Sequence, residues 1–426
     1  MPGDKSVSHR AVLFAPLAEG PCRIRGWLEA EDTGRSLAAV EALGAEVRRE
    51  DGDLVVGPGR FPGVGAAPAG STEVVDIDCG NSGTTARLMM GLLAGRRVRA
   101  RLDGDASLRS RPMARVVDPL RSMGARIVYE GSEGQLPLRI EGAPLVGIDY
   151  RLPVASAQLK SALLLAGLSA KGETRVAGGG LSRDHTEKLL ESMGVRHATG
   201  PDGFGVSPGE PLAAFDLTVP GDPSSAAFLL TAAALLPGSG ITVAGMMLNP
   251  TRTHYLHVMG DMEVDLRERP DPGRAVEPIG DVLVRHGALR AVSIRDPWIP
   301  ALIDELPLLA VLAARAEGTT RIEDARELRH KECDRIAATA AGLRSLGVNV
   351  TEREDGMDII GAPEGFPATG PAEIATEGDH RIAMAFAVAG LASRGGVRLD
   401  DAACVAVSFP DFFATLDELR HGGAAT

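Results

Sequence analysis

Small polar and basic residues recur in this sequence just ahead of strongly apolar runs. PGDKSVSHR places Lys5, Ser6 and Arg10 at the mouth of one such run. GNSGTTAR (80–87) sets Gly80 and Gly83 before a second, and SAQLKSA (156–162) sets Ser156 and Gln158 before a third. If the runs are helices, these residues sit where unpaired backbone N–H groups and the positive end of the helix dipole attract anions. Glycine there lets a ligand approach the backbone closely. RSRPMAR (109–115) holds three arginines in seven residues, Arg111 among them, and RDHTEK (183–188) puts Arg183 at another helix start. EGDHRIAMAF (377–386) places Asp379, His380 and Arg381 before a further apolar run.

Carboxylates supply a second kind of chemistry. IDELPLLA (303–310) embeds Asp304 and Glu305 in an apolar stretch, where a carboxylate is costly unless a cation or a reaction uses it. In RHKECDR (329–335), Lys331 and Arg335 are four apart, which on a helix predicts one shared face, with Glu332 beside them. Each motif alone is equally a helix cap or a solvated, salt-bridged face. Their recurrence at equivalent points along the chain is what suggests a site that grips several anionic groups.

The elements that must position these residues form a repeat. A glycine followed by a short β-rich segment recurs as GPCRI at 20, GRRVRA at 95, GETRV at 172, GSGITV at 238, GTTRI at 318 and GGVRL at 395, at steps of 75, 77, 66, 80 and 77 residues. An apolar run of helical length precedes each, and a helix apolar all round is a buried one. IPALIDELPLLAVLAARA is read as one such helix. An amphipathic second helix, as in ARVVDPLRSMGARI, and a short β pair, as in DGDLVVGPG, complete a β-α-β-α-β-β unit. Six units divide as three plus three. The expected fold is α/β with two domains: residues 1–8 and 222–426 as a discontinuous domain, 9–221 inserted, a cleft between them and a hinge near VPGDPSSAAF (219–228).

Composition narrows the function. Hydrophobic residues make up 44% and aromatics only 4%, so the core must be built from small and aliphatic side chains. A net charge of -12 and few aromatics argue against nucleic-acid binding, which needs clustered cations and stacking surfaces. No run of 18 uncharged apolar residues exists, so no membrane span is expected, and a cytoplasmic location follows. Cys22, Cys79, Cys333 and Cys404 lack C-x-x-C spacing and are read as buried free thiols.

Taken in order, PGDKSVSHR, GNSGTT, DASLRSRPMARV, PVASAQLKSALLLAGL, SRDHTEK, VPGDPSSAAF, IDELP, LRHKECDRI and EGDHRIAMAFAVAGL closely resemble the EPSP synthase (3-phosphoshikimate 1-carboxyvinyltransferase) family. SAQLKSA and SRDHTEK resemble its class II bacterial branch. The resemblance implies the same two-domain fold and transfer of the enolpyruvyl group of phosphoenolpyruvate to the 5-hydroxyl of shikimate-3-phosphate, without metal or organic cofactor. It implies that Lys5, Ser6, Arg10, Ser156, Ala157, Gln158, Arg183, Asp304 and Lys331 bind shikimate-3-phosphate. Lys5, Gly83, Arg111, Gln158, Arg335 and Arg381 would bind phosphoenolpyruvate. Asp304 would accept the hydroxyl proton and Glu332 would protonate the methylene carbon, with Lys5 sharing proton duties. A monomer is expected, with glyphosate as an inhibitor in the phosphoenolpyruvate site. Gly83 would limit the room for it, and an Ala there would also lose access to positive φ.

Three departures stand out. Ala157 replaces a second Ser common in the family, AVSFPDFF lacks a Lys common just before that segment, and the strand that relatives carry ahead of PGDKS is not in this sequence. The alternatives weighed are the sister transferase acting on UDP-N-acetylglucosamine and an RNA-terminal phosphate cyclase-like protein. The former typically has Lys-Asn where this chain has Lys5-Ser6.

Overall fold

Along Arg99–Asp103, Ala100 and Leu102 are buried while the alternate residues face outward, so this strand has one dry face and one charged face. Its outer face is laced by pairs such as Arg101 with Glu130, 2.6 Å apart. The computed structural model describes residues 1–69, 72–195, 203–209, 211–273 and 275–420. The strand belongs to a four-stranded sheet in the order Val75–Asp78, Arg99–Asp103, Leu138–Glu141, Arg126–Tyr129. The first pair is parallel, because the buried helix Gly83–Ala94 joins it; the other pairs are antiparallel.

The same order and directions recur in Ser293–Ile294, Thr319–Ile322, Gly356–Ile360 and Asn349–Arg353. They recur again around Cys22–Arg25, Asp53–Gly57 and Glu46–Glu50, but here the parallel edge strand is Asp216–Thr218, far along the chain. Three of the six β-α-β-α-β-β units of the sequence reading are these sheets with their helices; the other described strands form sheets of only two or three strands.

The chain forms two compact units. One comprises Met1–Pro2, Pro220–Gly273 and Pro278–Thr426; the other comprises Gly3–Val219 and Arg274–Glu277. Residues 3–8, which the sequence reading placed with the C-terminal half, pack with residues 9–219 instead, and the short segment up to Glu277 packs there too.

The apolar runs are helices that hide on all sides. Every residue of Pro223–Leu235 is buried. Their starts are capped by their own polar residues: Asp4 accepts from Val7 N at 2.7 Å, Asp222 from Ser224 N at 2.7 Å and Asp379 from Arg381 N at 2.8 Å. The run at 299–314 is not one helix. It breaks into Ile299–Leu302 and Leu306–Ala313, because Pro307 has no N–H to return to the carbonyl of Ile303. The break leaves Asp304 and Glu305 at the mouth of the second piece. Among the described residues, no helix is long and apolar enough to cross a membrane.

A core poor in aromatics lets helix backbones touch. A Cβ added at Gly91 would lie 2.1 Å from the carbonyl oxygen of Ala162 in helix Ala157–Gly167. Gly→Ala inside a helix ordinarily stabilises by roughly 0.5–1 kcal/mol. Here Gly91→Ala is expected to destabilise by about 1–3 kcal/mol through overpacking. Thermal melting checks the sign, and an unchanged or raised Tm would show that the helix pair opens at little cost.

Candidate active site

In the unit of residues 3–219, helix Lys5–Phe14 presents its first turn to a set of polar partners. The Lys5 ammonium pairs with Asp32, and Ser6 Oγ accepts from Arg183 Nη1 at 3.1 Å. Arg10 lies deeper, 3% exposed. Its Nε donates to Thr186 Oγ1 at 2.8 Å, Nη1 to the Ser6 carbonyl at 3.0 Å and Nη2 to Ser161 Oγ at 3.0 Å. Arg10 is thus a strut that ties the first turn of this helix to Ser161 and Thr186. Ser156 caps helix Ala157–Gly167, accepting from Leu159 N at 3.4 Å, and Ala157 brings no polar group.

The glycine loop opens helix Gly83–Ala94. Positive φ falls on Gly80, at 53°, and not on Gly83, so the expectation that position 83 needs glycine's backbone freedom is corrected. Space is the reason for glycine there. A Cβ at position 83 would lie 2.7 Å from Arg87 Nη1 and 3.5 Å from Arg111 Nη1. Arg111 Nη2 donates to Asn81 Oδ1 at 2.5 Å and Ser107 Oγ at 3.3 Å. Arg87 Nη1 donates to Gln158 Oε1 at 2.7 Å, and Gln158 Nε2 donates to Thr84 Oγ1 at 2.9 Å. A chain of hydroxyls braces the loop from behind. His9 Nδ1 meets Ser36 Oγ at 2.8 Å, Ser36 meets Thr85 at 2.8 Å, and Thr85 donates to Ser82 at 2.8 Å. Burial holds the His9 pKa well below the ordinary value, and Lys5 and Arg10 push the same way, so its imidazole stays neutral.

In the other unit the helix break at 303–305 meets the segment after Thr319–Ile322 and the start of helix His380–Ala392. Lys331 does not share a helical face with Arg335. Residues 326–330 form a short 3-10 turn, Lys331 is extended, and the next helix starts only at Arg335. Both nevertheless face Asp304 Oδ1, Lys331 Nζ at 3.7 Å and Arg335 Nη1 at 3.2 Å. Arg381 Nη2 is 3.7 Å from Asp304 Oδ2, and its Nη1 donates to the Asp304 carbonyl at 3.0 Å and to Glu305 Oε1 at 3.4 Å. Burial lowers the pKa of Lys331, opposed by Asp304 and reinforced by Arg335.

Arg335 is 1% exposed and serves three carboxylates. Its Nε and Nη2 hold Asp379 at 2.7 and 3.3 Å, Nη2 also holds Glu332 Oε2 at 2.5 Å, and Nη1 reaches Asp304. Burial opposes its charge, yet Asp379, Glu332 and Asp304 hold its pKa above the ordinary value. Behind this layer, Ser224 Oγ donates to Glu305, and Arg252 Nη2 donates to Ser224 Oγ at 3.0 Å and Asp222 Oδ1 at 3.2 Å.

The structure therefore brings Lys5, Ser6, Arg10 and Arg183 together, brings Gly83, Arg111 and Gln158 together, and gathers Asp304, Lys331, Glu332, Arg335 and Arg381. Sequence reasoning missed Arg87, the buried pair Lys160–Glu187 at 2.5 Å, and Asp379 as a partner of Arg335. A signal existed for Arg87 and Lys160: each is a cation inside an otherwise apolar helix, which is costly unless it has work to do. Of the four free cysteines, Cys22 and Cys79 are buried, but Cys333 and Cys404 are only partly so, which corrects the expectation of four buried thiols. Burial, with Asp78 and Asp103 adding, pushes the Cys79 thiol up to about 12.

A family model described as EPSP synthase (3-phosphoshikimate 1-carboxyvinyltransferase) matches residues 1–416. Among curated relatives, a 3-phosphoshikimate 1-carboxyvinyltransferase from Methylorubrum populi is 47% identical, covering 97% of this chain and 92% of the relative. One from an Anaeromyxobacter species is 49% identical over 100% of this chain and 96% of its own length. Among solved structures, EPSP synthase from Acinetobacter baumannii superposes with a TM-score of 0.83 at 38% identity, covering 98% of this chain and 94% of that one. The enolpyruvyl transferase NikO from Streptomyces tendae shares the fold, with a TM-score of 0.75 at 19% identity over 98% of this chain and 93% of that one. The ordered motifs, the repeated sheets and these full-length matches agree, and the chain belongs to the EPSP synthase family.

Proposed function

We propose that the side-chain clusters described above are the machinery of the family's reaction. As a member of that family, the chain transfers the enolpyruvyl group of phosphoenolpyruvate to the 5-hydroxyl of shikimate-3-phosphate and releases phosphate, a step of aromatic amino-acid biosynthesis. In the proposed assignment, Lys5, Ser6, Arg10, Ser156, Gln158, Arg183, Asp304 and Lys331 hold shikimate-3-phosphate. Ala157 contributes backbone only. Lys5, Gly83, Arg111, Gln158, Arg335 and Arg381 hold phosphoenolpyruvate, guanidinium groups suiting its carboxylate and phosphate.

Asp304 takes the proton of the 5-hydroxyl as its oxygen bonds to C2 of phosphoenolpyruvate, and Glu332 delivers a proton to C3, with Lys5 sharing proton transfer. The tetrahedral adduct then breaks its C2–O bond to phosphate, which leaves with that electron pair, while C3 gives a proton back to the Glu332 carboxylate and the C–H pair becomes the vinyl double bond. The observation that carries this reading is the convergence of Lys331, Arg335 and Arg381 on Asp304, with Glu332 on the same Arg335. Two carboxyl groups positioned in one cluster supply the base and acid that general acid–base transfer uses.

Phosphate release is expected only when phosphoenolpyruvate and shikimate-3-phosphate are both present, and glyphosate is expected to compete with phosphoenolpyruvate. Release with UDP-N-acetylglucosamine in place of shikimate-3-phosphate would overturn the substrate assignment. Non-competitive inhibition would remove glyphosate from that site.

A further inference from the structure

Gly83 and Arg87 are four apart in one helix, so their side chains occupy one face. Side chains in a helix lean toward its N-terminus, which carries Arg87 back over Gly83. The 2.7 Å between Arg87 Nη1 and a would-be Cβ at position 83 shows that the guanidinium fills the space a side chain would take. A terminal nitrogen on a flexible side chain usually moves aside at little cost. This one is 4% exposed and pinned at both ends, to Gln158 Oε1 at 2.7 Å and to the Pro112 carbonyl at 3.3 Å.

The consequence lies in Gln158. A glutamine amide can present either its carbonyl or its NH₂ group, and its surroundings decide which. Arg87 donates and so claims the oxygen; the hydroxyl of Thr84 accepts one N–H at 2.9 Å. The amide is thereby fixed with Nε2 toward Thr84, two residues into the glycine-loop helix. Its second N–H is then the group it can offer a ligand. A donor suits an anion; the flipped amide would offer an acceptor and repel it.

We infer that Arg87 is a positioning residue that fixes the Gln158 amide as a donor toward an anionic substrate, and that position 83 is glycine because Arg87 needs its space. This rests on the reading of Gln158 as a phosphoenolpyruvate ligand. It assigns Arg87 no contact with the reacting atoms.

The test is a double-mutant cycle with a structural arm. Arg87→Met is expected to raise KM for phosphoenolpyruvate roughly tenfold, the scale of a lost hydrogen bond to a charged group, and to raise KM for shikimate-3-phosphate too because Gln158 is read as holding both, with kcat changed far less. Gln158→Ala should raise the same constants, and the double variant should be no worse than Gln158→Ala alone, because residues acting through one another are not additive. Thr84→Val, which removes the other anchor of the amide, should show the same split between KM and kcat. Crystals of Arg87→Met, or of Arg87→Lys if the first does not fold, should show the Gln158 amide turned away from Thr84. Multiplicative effects in the cycle, or an amide unmoved in those crystals, would overturn the inference. A wild-type enzyme that releases no phosphate with both substrates sinks the functional reading instead, and the crystals alone then decide whether Arg87 orients Gln158.

Discussion

Glu332→Gln is expected to lower turnover by about 10²-fold or more while leaving the melting temperature nearly unchanged. The substitution keeps the shape of the side chain and an oxygen that can still accept from Arg335. It removes the proton that a carboxylic acid can give. The sequence alone allowed a blander account, in which Glu332 and Arg335 form a surface ion pair worth roughly 0–1 kcal/mol. The structure removes the word surface from that account, since Arg335 is 1% exposed and meets Glu332 Oε2 at 2.5 Å. Two roles for Glu332 remain, and the variant separates them. If it only steadies Arg335, the loss appears in stability and turnover is spared. If it is the acid, turnover collapses and the fold survives. Steady-state kcat with both substrates saturating, beside a thermal melt, gives the answer; near-normal turnover would take Glu332 out of the mechanism.

Arg335→Met is expected to cost about 3–5 kcal/mol of stability as well as activity, the scale seen when one member of a buried ion pair is removed. Asp379 is fully buried and Asp304 and Glu332 are partly so, and in the variant they lose the cation that faces all three. Urea denaturation measures the deficit. A deficit below about 1 kcal/mol would show that the three carboxylates are not relying on Arg335.

Much of the fold is legible in the sequence because its helices are buried on all sides. LMMGLLA and AAFLLTAAAL leave no polar face, so neither their length nor their burial is in doubt. What local pattern misses is any feature set by a distant partner. Pro307 could have marked the break at 303–305, but the surrounding leucines and alanines read as one helix. The run ARELRHKECDRIAAT has the spacing of a continuous helix, yet Lys331 is pulled into an extended conformation where its ammonium faces Asp304. The site shows the same division. The residue types were visible, whereas their pairings were not: Arg335 depends on Asp304 and Asp379, and Gln158 on Arg87 and Thr84 of one helix, every contact crossing to a segment distant in sequence. No periodicity encodes such contacts.

The edge strand Asp216–Thr218 sets a timetable for synthesis. In its register Arg23 lies opposite Asp216, so the sheet begun at Cys22 is complete only when residue 218 has left the ribosome. At the usual pace of translation, that wait is on the order of ten seconds or more. Throughout it, Cys22–Arg25 is paired with Asp53–Gly57 on one side and open on the other, an invitation to any passing strand. Arg25 puts charge along that open side, and in the finished sheet it pairs with Asp216, so the charge that guards the nascent edge becomes a tie once the late strand arrives. Arg23 pairs instead with Glu50 and Asp53 of the strands made first.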